Sequence, residues 1–320
     1  MNLVHNTSYG SSPSKDGKLS EISLSTMWAK GRFRHMAAFA AKAQELGFTH
    51  IEANASISPR MLDELIQTSV PISSVHSPCP TASSSAGAPV ANLSLSSLDE
   101  AERTEAISFA KSTIDLASGL SASAVVLHMG EVAIDPDLQE RLRELYTKGQ
   151  TQSHEYEQTR EELVYRRISR SSPYLDAAAK SLRELSAYGG QKGIMLGLET
   201  RFHVHEIPNL DEMAELLNEV PGHPVAYWHD VGHAEVQQRL GVDSHEQWLS
   251  QFKHRMVGIH LHDVTGISDH QTPGKGNVNW EMVARYLPPG IVKVCEIGEW
   301  NDEQQMQGVV SFLQKEGIIS

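Results

Sequence analysis

The chain alternates between short apolar runs and longer segments in which apolar residues recur at helical spacing. Short continuous apolar runs are typical of parallel strands that are buried on both faces. Strands are predicted at residues 22–27, 49–53, 70–76, 124–128, 194–199, 225–230, 257–262 and 291–296. This alternation of strand and helix predicts an α/β protein with a parallel sheet.

The segments between the strands predict helices at residues 31–46, 58–68, 97–119, 136–187, 209–219, 244–252, from Trp280 onward and at 302–315. The segment 136–187 is expected to form two helices, because proline breaks helix interiors and Ser171-Ser172-Pro173 lies within it. Residues 269–280 predict a turn-rich loop. Residues 77–96 are rich in Pro, Ser, Ala and Gly and predict a long loop that acts as a lid or substrate wall.

Eight strand–helix units predict one closed (β/α)8 barrel, the TIM barrel, in a single domain over residues 1–320. An open doubly wound sheet is the alternative architecture. It is disfavoured because no glycine-rich dinucleotide or phosphate loop follows an early strand. Residues 1–20 are mostly polar, and we expect them to form a loose leader.

Charge and composition narrow the class of protein. The 320 residues carry a formal net charge of −13, which argues against a nucleic-acid partner because such proteins usually present a basic face. No apolar run approaches the roughly 20 residues of a membrane span, so no membrane association is expected. The N-terminus lacks the features of a signal peptide, and two cysteines do not make a disulfide framework, so a cytoplasmic location is expected.

The ends of the third to the eighth strands all carry His, Asp or Glu side chains. They are His76, His128, Glu199, Asp230 with His233, His260 and Glu296. The carboxyl ends of barrel strands converge on one mouth. Carboxylates buried together are unfavourable unless cations neutralise them, so the sequence predicts a divalent metal site there.

Further polar residues near these strand ends are candidates for binding substrate. His260 and His262 lie two apart on a strand and can face the same side. Arg201 follows Glu199 and can hold an anionic or hydroxyl-rich substrate, although a solvated salt-bridge partner is an equally good interpretation. His270 lies in the late loop and can swing back over the mouth. The glycines on either side of Lys275 can admit a ligand or simply turn the chain.

Taken in order with the Gly274-x-Gly276 loop, these strand ends resemble the xylose-isomerase-like barrel superfamily. That group contains sugar and sugar-phosphate isomerases and epimerases, and the endonuclease IV family of abasic-site nucleases. The resemblance covers about residues 20–315. It implies four metal ligands of the epimerase type, of which the two glutamates also act as acid and base: Glu199, Asp230, His260 and Glu296. His233 then matches a residue that contacts substrate oxygens.

The nuclease subgroup of the superfamily implies a three-zinc cluster made by His76, His128, Glu199, Asp230, His233, His260, His270 and Glu296. The chain departs from that subgroup at Ser268, where the nucleases have Asp, and the adjacent Asp269 is expected to point elsewhere. Small residues from Ser77 to Cys79 stand where the nucleases carry a bulky DNA wedge. Lys275 replaces an acidic residue that is common in the superfamily, and we count it among the substrate-binding candidates together with Arg201 and His262.

The resulting interpretation is a divalent-metal-dependent isomerase or epimerase that forms an enediolate of a sugar or sugar phosphate. Nitrogen-rich ligation favours zinc or manganese over magnesium, and the number of candidate ligands allows one to three ions. The alternatives are a metallo-phosphodiesterase that acts on nucleic acid, and a barrel that binds sugar or metal without turnover. Which sugar is used and whether the protein forms a homo-oligomer stay open.

Overall fold

The structure is a computed structural model that describes residues 21–320, so the expected leader at 1–20 lies outside the described residues. Parallel strands close into an eight-stranded barrel of β1 (Ser23–Ser25), β2 (His50–Ala53), β3 (Ile72–His76), β4 (Ala124–Leu127), β5 (Met195–Glu199), β6 (Val225–Asp230), β7 (Met256–Leu261) and β10 (Val292–Cys295). Strand β10 closes the barrel by pairing with β1 in the register Ser23 to Val294. The predicted (β/α)8 barrel is confirmed, and the open sheet is wrong.

Helices surround the barrel and bury their apolar faces against it. They are α1 (Met36–Glu45), α2 (Pro59–Ile66), α3 (Glu100–Gly119), α4 (Pro136–Thr147), α5 (His154–Lys192), α6 (Leu210–Glu219), α7 (Val231–Arg239), α8 (His245–Phe252), α9 (Trp280–Tyr286), α10 (Glu303–Met306) and α11 (Val309–Lys315). Side-chain caps define several of their starts. Asp99, for example, accepts hydrogen bonds from the backbone of Ala101 and Glu102 at the start of α3.

The predicted break at residues 171–173 is wrong. Helix α5 runs unbroken for 39 residues through Pro173, and the two helices of this region are separated at 148–153 instead. Pro173 is exposed, while Leu163 and Ala178 on either side of it are buried against the core. Packing on both sides therefore outweighs the local loss of one backbone hydrogen bond.

Two elements near the barrel mouth differ from the sequence prediction. Helix α7 starts immediately after β6, and the Asp230 side chain caps it by accepting from the His233 backbone at 2.8 Å. The late loop contains an antiparallel hairpin of β8 (Asp263–Thr265) and β9 (Ser268–Gln271).

The predicted last helix is divided into α10 and α11 by Gly308, whose φ of 80° suits glycine.

A tryptophan fills the barrel below the mouth. Trp228 packs inside the barrel with Ala124, Val126 and Val294. Gly258 makes room for it, because a Cβ at that position would lie 2.1 Å from the Trp228 ring. The Trp228 ring also contacts the ring of His260 at a centroid distance of 5.2 Å. The apolar floor thus supports the polar side chains at the carboxyl ends of the strands.

In the part of the chain that the structure describes, no helix combines the length and hydrophobicity that crossing a membrane requires.

Candidate functional site

The centre of the mouth is a cluster of three carboxylates and one imidazole: Glu199, Asp230, His260 and Glu296. Their possible ligand atoms all lie within 4.8 Å of one another, and the four side chains are buried. His260 Nδ1 lies 2.6 Å from Glu199 Oε1, 3.3 Å from Glu296 Oε2 and 3.4 Å from Asp230 Oδ2. Each residue lies at or within one residue of the carboxyl end of its strand, so four separate strands place these groups around one point.

The carboxylates of this cluster are held in the ionised form. Burial alone would raise the pKa of Glu199, but His128, His260 and His76 lower it well below its usual value. Burial likewise opposes ionisation of Asp230 and Glu296, and neighbouring histidines again lower both pKa values. Three buried negative charges that share one volume call for a counter-cation.

The donor set fits a divalent metal ion. Among the described residues, Asp230 Oδ2 is buried without a hydrogen-bond partner, as a free ligand atom would be. Three carboxylates and one imidazole suit zinc or manganese, which accept mixed oxygen and nitrogen ligands. The four residues predicted as epimerase-type ligands therefore lie close enough together to hold one ion, and their role as ligands stays a prediction.

A second cluster shares Glu199 with the first. His128 Nε2 lies 2.6 Å from Glu199 Oε2, and His76 Nε2 lies 3.7 Å from the same oxygen. The two imidazole rings stand edge to face with centroids 4.6 Å apart. One glutamate thus joins two groups of candidate ligands, as a bridging carboxylate does in a multinuclear metal site.

A third cluster contains His233, His262 and His270. His262 Nδ1 accepts from the His270 backbone N–H at 2.8 Å, so its Nε2 carries the proton and donates to Asp230 Oδ1 at 2.9 Å. Both nitrogens of His262 are therefore engaged, and the residue orients Asp230. Gly232 is required beside it, because a Cβ there would lie 2.1 Å from the His262 ring.

The expectation that Asp269 points away from the site is wrong. Its Oδ2 lies 3.0 Å from His270 Nδ1 and 3.7 Å from His233 Nε2. The left-handed backbone of His270, with φ of 51°, lies within the hairpin that brings Asp269 over the mouth. Burial opposes ionisation of Asp269, but the hydrogen bond from His270 lowers its pKa to about 2. Asp269 thus supplies a carboxylate next to the position where Ser268 lacks one.

Arg201 is a buried partner of the site and not a solvated ion pair. Its Nη1 donates to Glu199 Oε2 at 2.5 Å, and its Nη2 donates to Glu206 Oε1 at 2.5 Å. The side chain also lines the mouth cavity. Arg201 therefore fixes the position of Glu199, and its contact with substrate stays a prediction.

Lys275 is exposed and is not among the residues that line the cavity. Asp263 explains its position, because the Asp263 carboxylate accepts from the backbone of Val264, Gly274 and Val278 and from Trp280 Nε1. These bonds fasten the loop that carries Lys275 beside the hairpin. The structure gives no support to a substrate contact by Lys275.

Glu52 belongs to the site although the strand-end pattern does not identify it. It is fully buried on β2, and its carboxylate lies 3.2 Å from His260 Nε2. Glu206, which holds Arg201, is a second residue of this kind. His50 lies near Glu52 and His205 precedes Glu206, but only the fold shows that these two carboxylates contact His260 and Arg201.

The clusters open into a cavity of about 570 Å³. Ser77, Pro78 and Ala91 from the 77–96 loop line it, together with Met27 and Trp300 on the rim. The Trp300 side chain is strongly exposed, at 57%. The volume is within the range of small-molecule sites. The loop therefore forms part of the cavity wall, while closure as a lid stays a prediction.

The sequence model of one protein family matches most of the chain. The sequence model of the xylose isomerase-like TIM barrel family matches residues 40–316. The chain belongs to this family. A search of curated protein sequences finds no match.

Many solved protein structures have the same fold as this chain. D-psicose 3-epimerase with D-tagatose from Clostridium cellulolyticum H10 has a TM-score of 0.64 at 16% identity, covering 93% of this chain and 99% of that one. The apo form of 3-keto-D-glucoside 4-epimerase from E. coli has a TM-score of 0.65 at 14% identity, covering 92% and 99%. A Thermus thermophilus protein soaked with zinc chloride has a TM-score of 0.58 at 19% identity, covering 92% and 97%.

Proposed function

We propose that the protein is a divalent-metal-dependent isomerase or epimerase of a sugar or sugar phosphate. The observation that carries the proposal is the buried cluster of Glu199, Asp230, His260 and Glu296 at the base of a small-molecule cavity. Sugar epimerases among the proteins of similar fold support the same substrate class. We propose zinc or manganese as the metal, with one to three ions bound.

The four residues of the central cluster would hold the ion. When bound, the ion polarises a substrate carbonyl and stabilises negative charge on the adjacent oxygens. Two ionised glutamates beside it can then exchange a proton with the carbon next to that carbonyl. Removal of the proton from that carbon and its return, to the same carbon or to a neighbour, produce epimerisation or isomerisation.

The contacts of the two glutamates suggest different roles. Both oxygens of Glu199 have close neighbours: Oε1 lies 2.6 Å from His260 Nδ1, and Oε2 accepts from Arg201 at 2.5 Å. Glu296 makes longer contacts through Oε2, at 3.3 Å to His260 and 3.5 Å to His270. We therefore assign the first proton abstraction to Glu296, the less constrained carboxylate. In isomerisation, Glu296 returns the proton that it took up. In epimerisation, Glu199 takes a proton from solvent and passes it to the opposite face of the enediolate, and Glu296 then releases its own proton to solvent.

The cavity wall suits a polyhydroxylated substrate. His76, His128 and His233 line it with ring nitrogens that can bond to hydroxyl groups. Met27 and Trp300 add apolar surface, which suits the C–H bonds of a sugar. These features support sugar binding at the same mouth.

A second candidate is a metallo-phosphodiesterase. The arrangement that favours it is the set of three clusters, two of which share Glu199, with Asp269 beside the third, because two or three ions can activate water and stabilise a leaving oxygen. The formal net charge of −13 and the small side chains of Ser77 and Pro78 disfavour a nucleic-acid substrate.

Hydrogen exchange in heavy water separates these candidates. The metal-loaded protein is incubated with a panel of ketoses and their phosphates, and deuterium at the carbon beside the carbonyl is measured by NMR. The proposal predicts incorporation with at least one sugar and no metal-dependent nicking of an abasic-site duplex. Nicking at low enzyme concentration without exchange would establish the second candidate instead.

A further inference from the structure

Glu52 is a buried carboxylate below the candidate metal centre and outside its ligand clusters. It lies on β2 with no exposed surface. Its Oε1 and Oε2 lie 3.2 and 3.3 Å from His260 Nε2. Ser74 on the neighbouring strand donates its hydroxyl to Glu52 Oε2 at 2.7 Å. This carboxylate therefore faces the imidazole on the side away from the other three.

The two nitrogens of His260 have distinct neighbours. Nδ1 faces Glu199, Asp230 and Glu296, at 2.6 to 3.4 Å. Nε2 faces Glu52. An ionised carboxylate only accepts hydrogen bonds, so Nε2 must carry a proton to bond with Glu52. In a neutral imidazole this leaves the lone pair on Nδ1, which points into the centre of the cluster.

We propose that Glu52 is a positioning residue that fixes the tautomer and ring orientation of His260 for metal binding. The inference rests on the proposed metal centre. A carboxylate that accepts from the far nitrogen of a ligating histidine holds the ring in place and increases its donor strength. The hydroxyl of Ser74 holds Glu52 in turn. A chain of three residues from neighbouring and opposing strands thus sets one metal ligand.

Electrostatics separate this role from simple packing. Glu52 adds a fourth buried carboxylate to the three of the central cluster, which is unfavourable unless a cation compensates. A residue kept only for packing would not need the charge. A residue kept to strengthen metal binding does, because its negative charge attracts the ion through His260.

Metal affinity of the full-length protein tests the inference without reference to turnover. Chelator-stripped protein is titrated with Zn²⁺ against a chromophoric chelator, and its fold is checked by circular dichroism. Glu52→Gln keeps the side-chain shape and removes the charge, and we expect Zn²⁺ affinity to fall about 10–100-fold. Ser74→Ala should give a smaller loss in the same direction, because Glu52 remains but is no longer oriented.

A matched control is Glu235→Gln. Glu235 is also buried and contacts an imidazole, at 3.0 Å from His245 Nδ1, but it does not line the cavity. Its Zn²⁺ affinity should equal that of the wild type.

The titration distinguishes failure of the role of Glu52 from failure of the proposed function. Wild-type affinity in folded Glu52→Gln, or an equal loss in Glu235→Gln, would overturn the role of Glu52 and leave the proposed function standing. If Glu52→Gln does not fold, wild-type affinity in Ser74→Ala would overturn it. Absence of Zn²⁺ and Mn²⁺ binding by the wild-type protein would contradict the proposed function itself, and the inference with it.

Discussion

Glu199 contacts three residues of the candidate site, which its position at a strand end does not predict by itself. It contacts His128 and His260, both at 2.6 Å, and it also accepts from Arg201. Its position at the end of β5 was predictable, because inward side chains at barrel strand ends meet at the mouth. The sequence alone allows two interpretations of its partner Arg201, because only burial separates a fixed arginine from a solvated one.

The two glutamates should respond differently to loss of charge. Glu296→Gln should retain most of the bound metal and reduce deuterium exchange by about 10²–10⁴-fold, because it removes the proposed base. Glu199→Gln should lose metal as well as exchange, since Glu199 belongs to both the first and the second cluster. Metal analysis together with exchange rates checks this. Full exchange in Glu296→Gln would contradict its assigned role.

Asp269 and Glu52 show where the sequence is insufficient at this scale. From the sequence, Asp269 is expected to point elsewhere, but its carboxylate lies 3.0 Å from His270 Nδ1 within the β8–β9 hairpin, where His270 has a left-handed φ of 51°. Glu52 lies one residue before the end of β2, and the sequence does not show that it faces His260 across the barrel. Positive φ at a non-glycine residue and contacts across the barrel depend on tertiary packing.

At the scale of elements, the β8–β9 hairpin determines where His270 and Asp269 lie. Asp263→Ala should destabilise the protein by at least about 3 kcal/mol, because several N–H donors lose a charged acceptor. Asp263→Asn should cost less, since one acceptor oxygen remains. Urea denaturation of both variants measures this, and equal stability of Asp263→Ala and the wild type would contradict the assigned role of the carboxylate.

The start of α8 provides a pH-dependent prediction. Burial raises the pKa of Asp243 from 3.8 to about 6, and the nearby Asp211 adds to the shift. The folded state thus favours the protonated form, so the stability from this group is lost as pH rises from about 4 through about 6. The free energy of unfolding of Asp243→Asn should be higher than that of the wild type by about 1–3 kcal/mol at pH 7.5, and by less at pH 5. An unchanged or lower melting temperature at pH 7.5 would contradict this.

Element types were predictable where the apolar pattern was strong, and boundaries were not. All eight barrel strands lie within or next to their predicted segments. The unbroken course of α5 past Pro173 was not predictable, because local sequence contains the proline but not the packing of Leu163 and Ala178 against the core. The sequence does not predict helix α7, because the helix begins directly at the strand end: Asp230 is its N-cap, and His233 lies in its first turn.

At the scale of the whole molecule, we predict that the 77–96 loop closes over the cavity as a lid. Ser77, Pro78 and Ala91 line the cavity, while much of the stretch between them is exposed. Metal and a bound sugar should slow limited proteolysis in residues 82–89 several-fold. The exposed segment 148–153 does not line the cavity and should be cleaved equally in both states. Equal protection of both segments, or of neither, would contradict a lid.

The central claim is that the barrel mouth holds a divalent cation on Glu199, Asp230, His260 and Glu296. Metal content of the protein purified without added metal, compared with that of Asp230→Ala, tests it most directly. We expect at least one equivalent of zinc or manganese in the wild type. In Asp230→Ala we expect a large loss, because a buried ionised ligand is removed from the middle of the set. Full occupancy in Asp230→Ala, or a metal-free wild type that also fails to bind added zinc and manganese, would contradict the account.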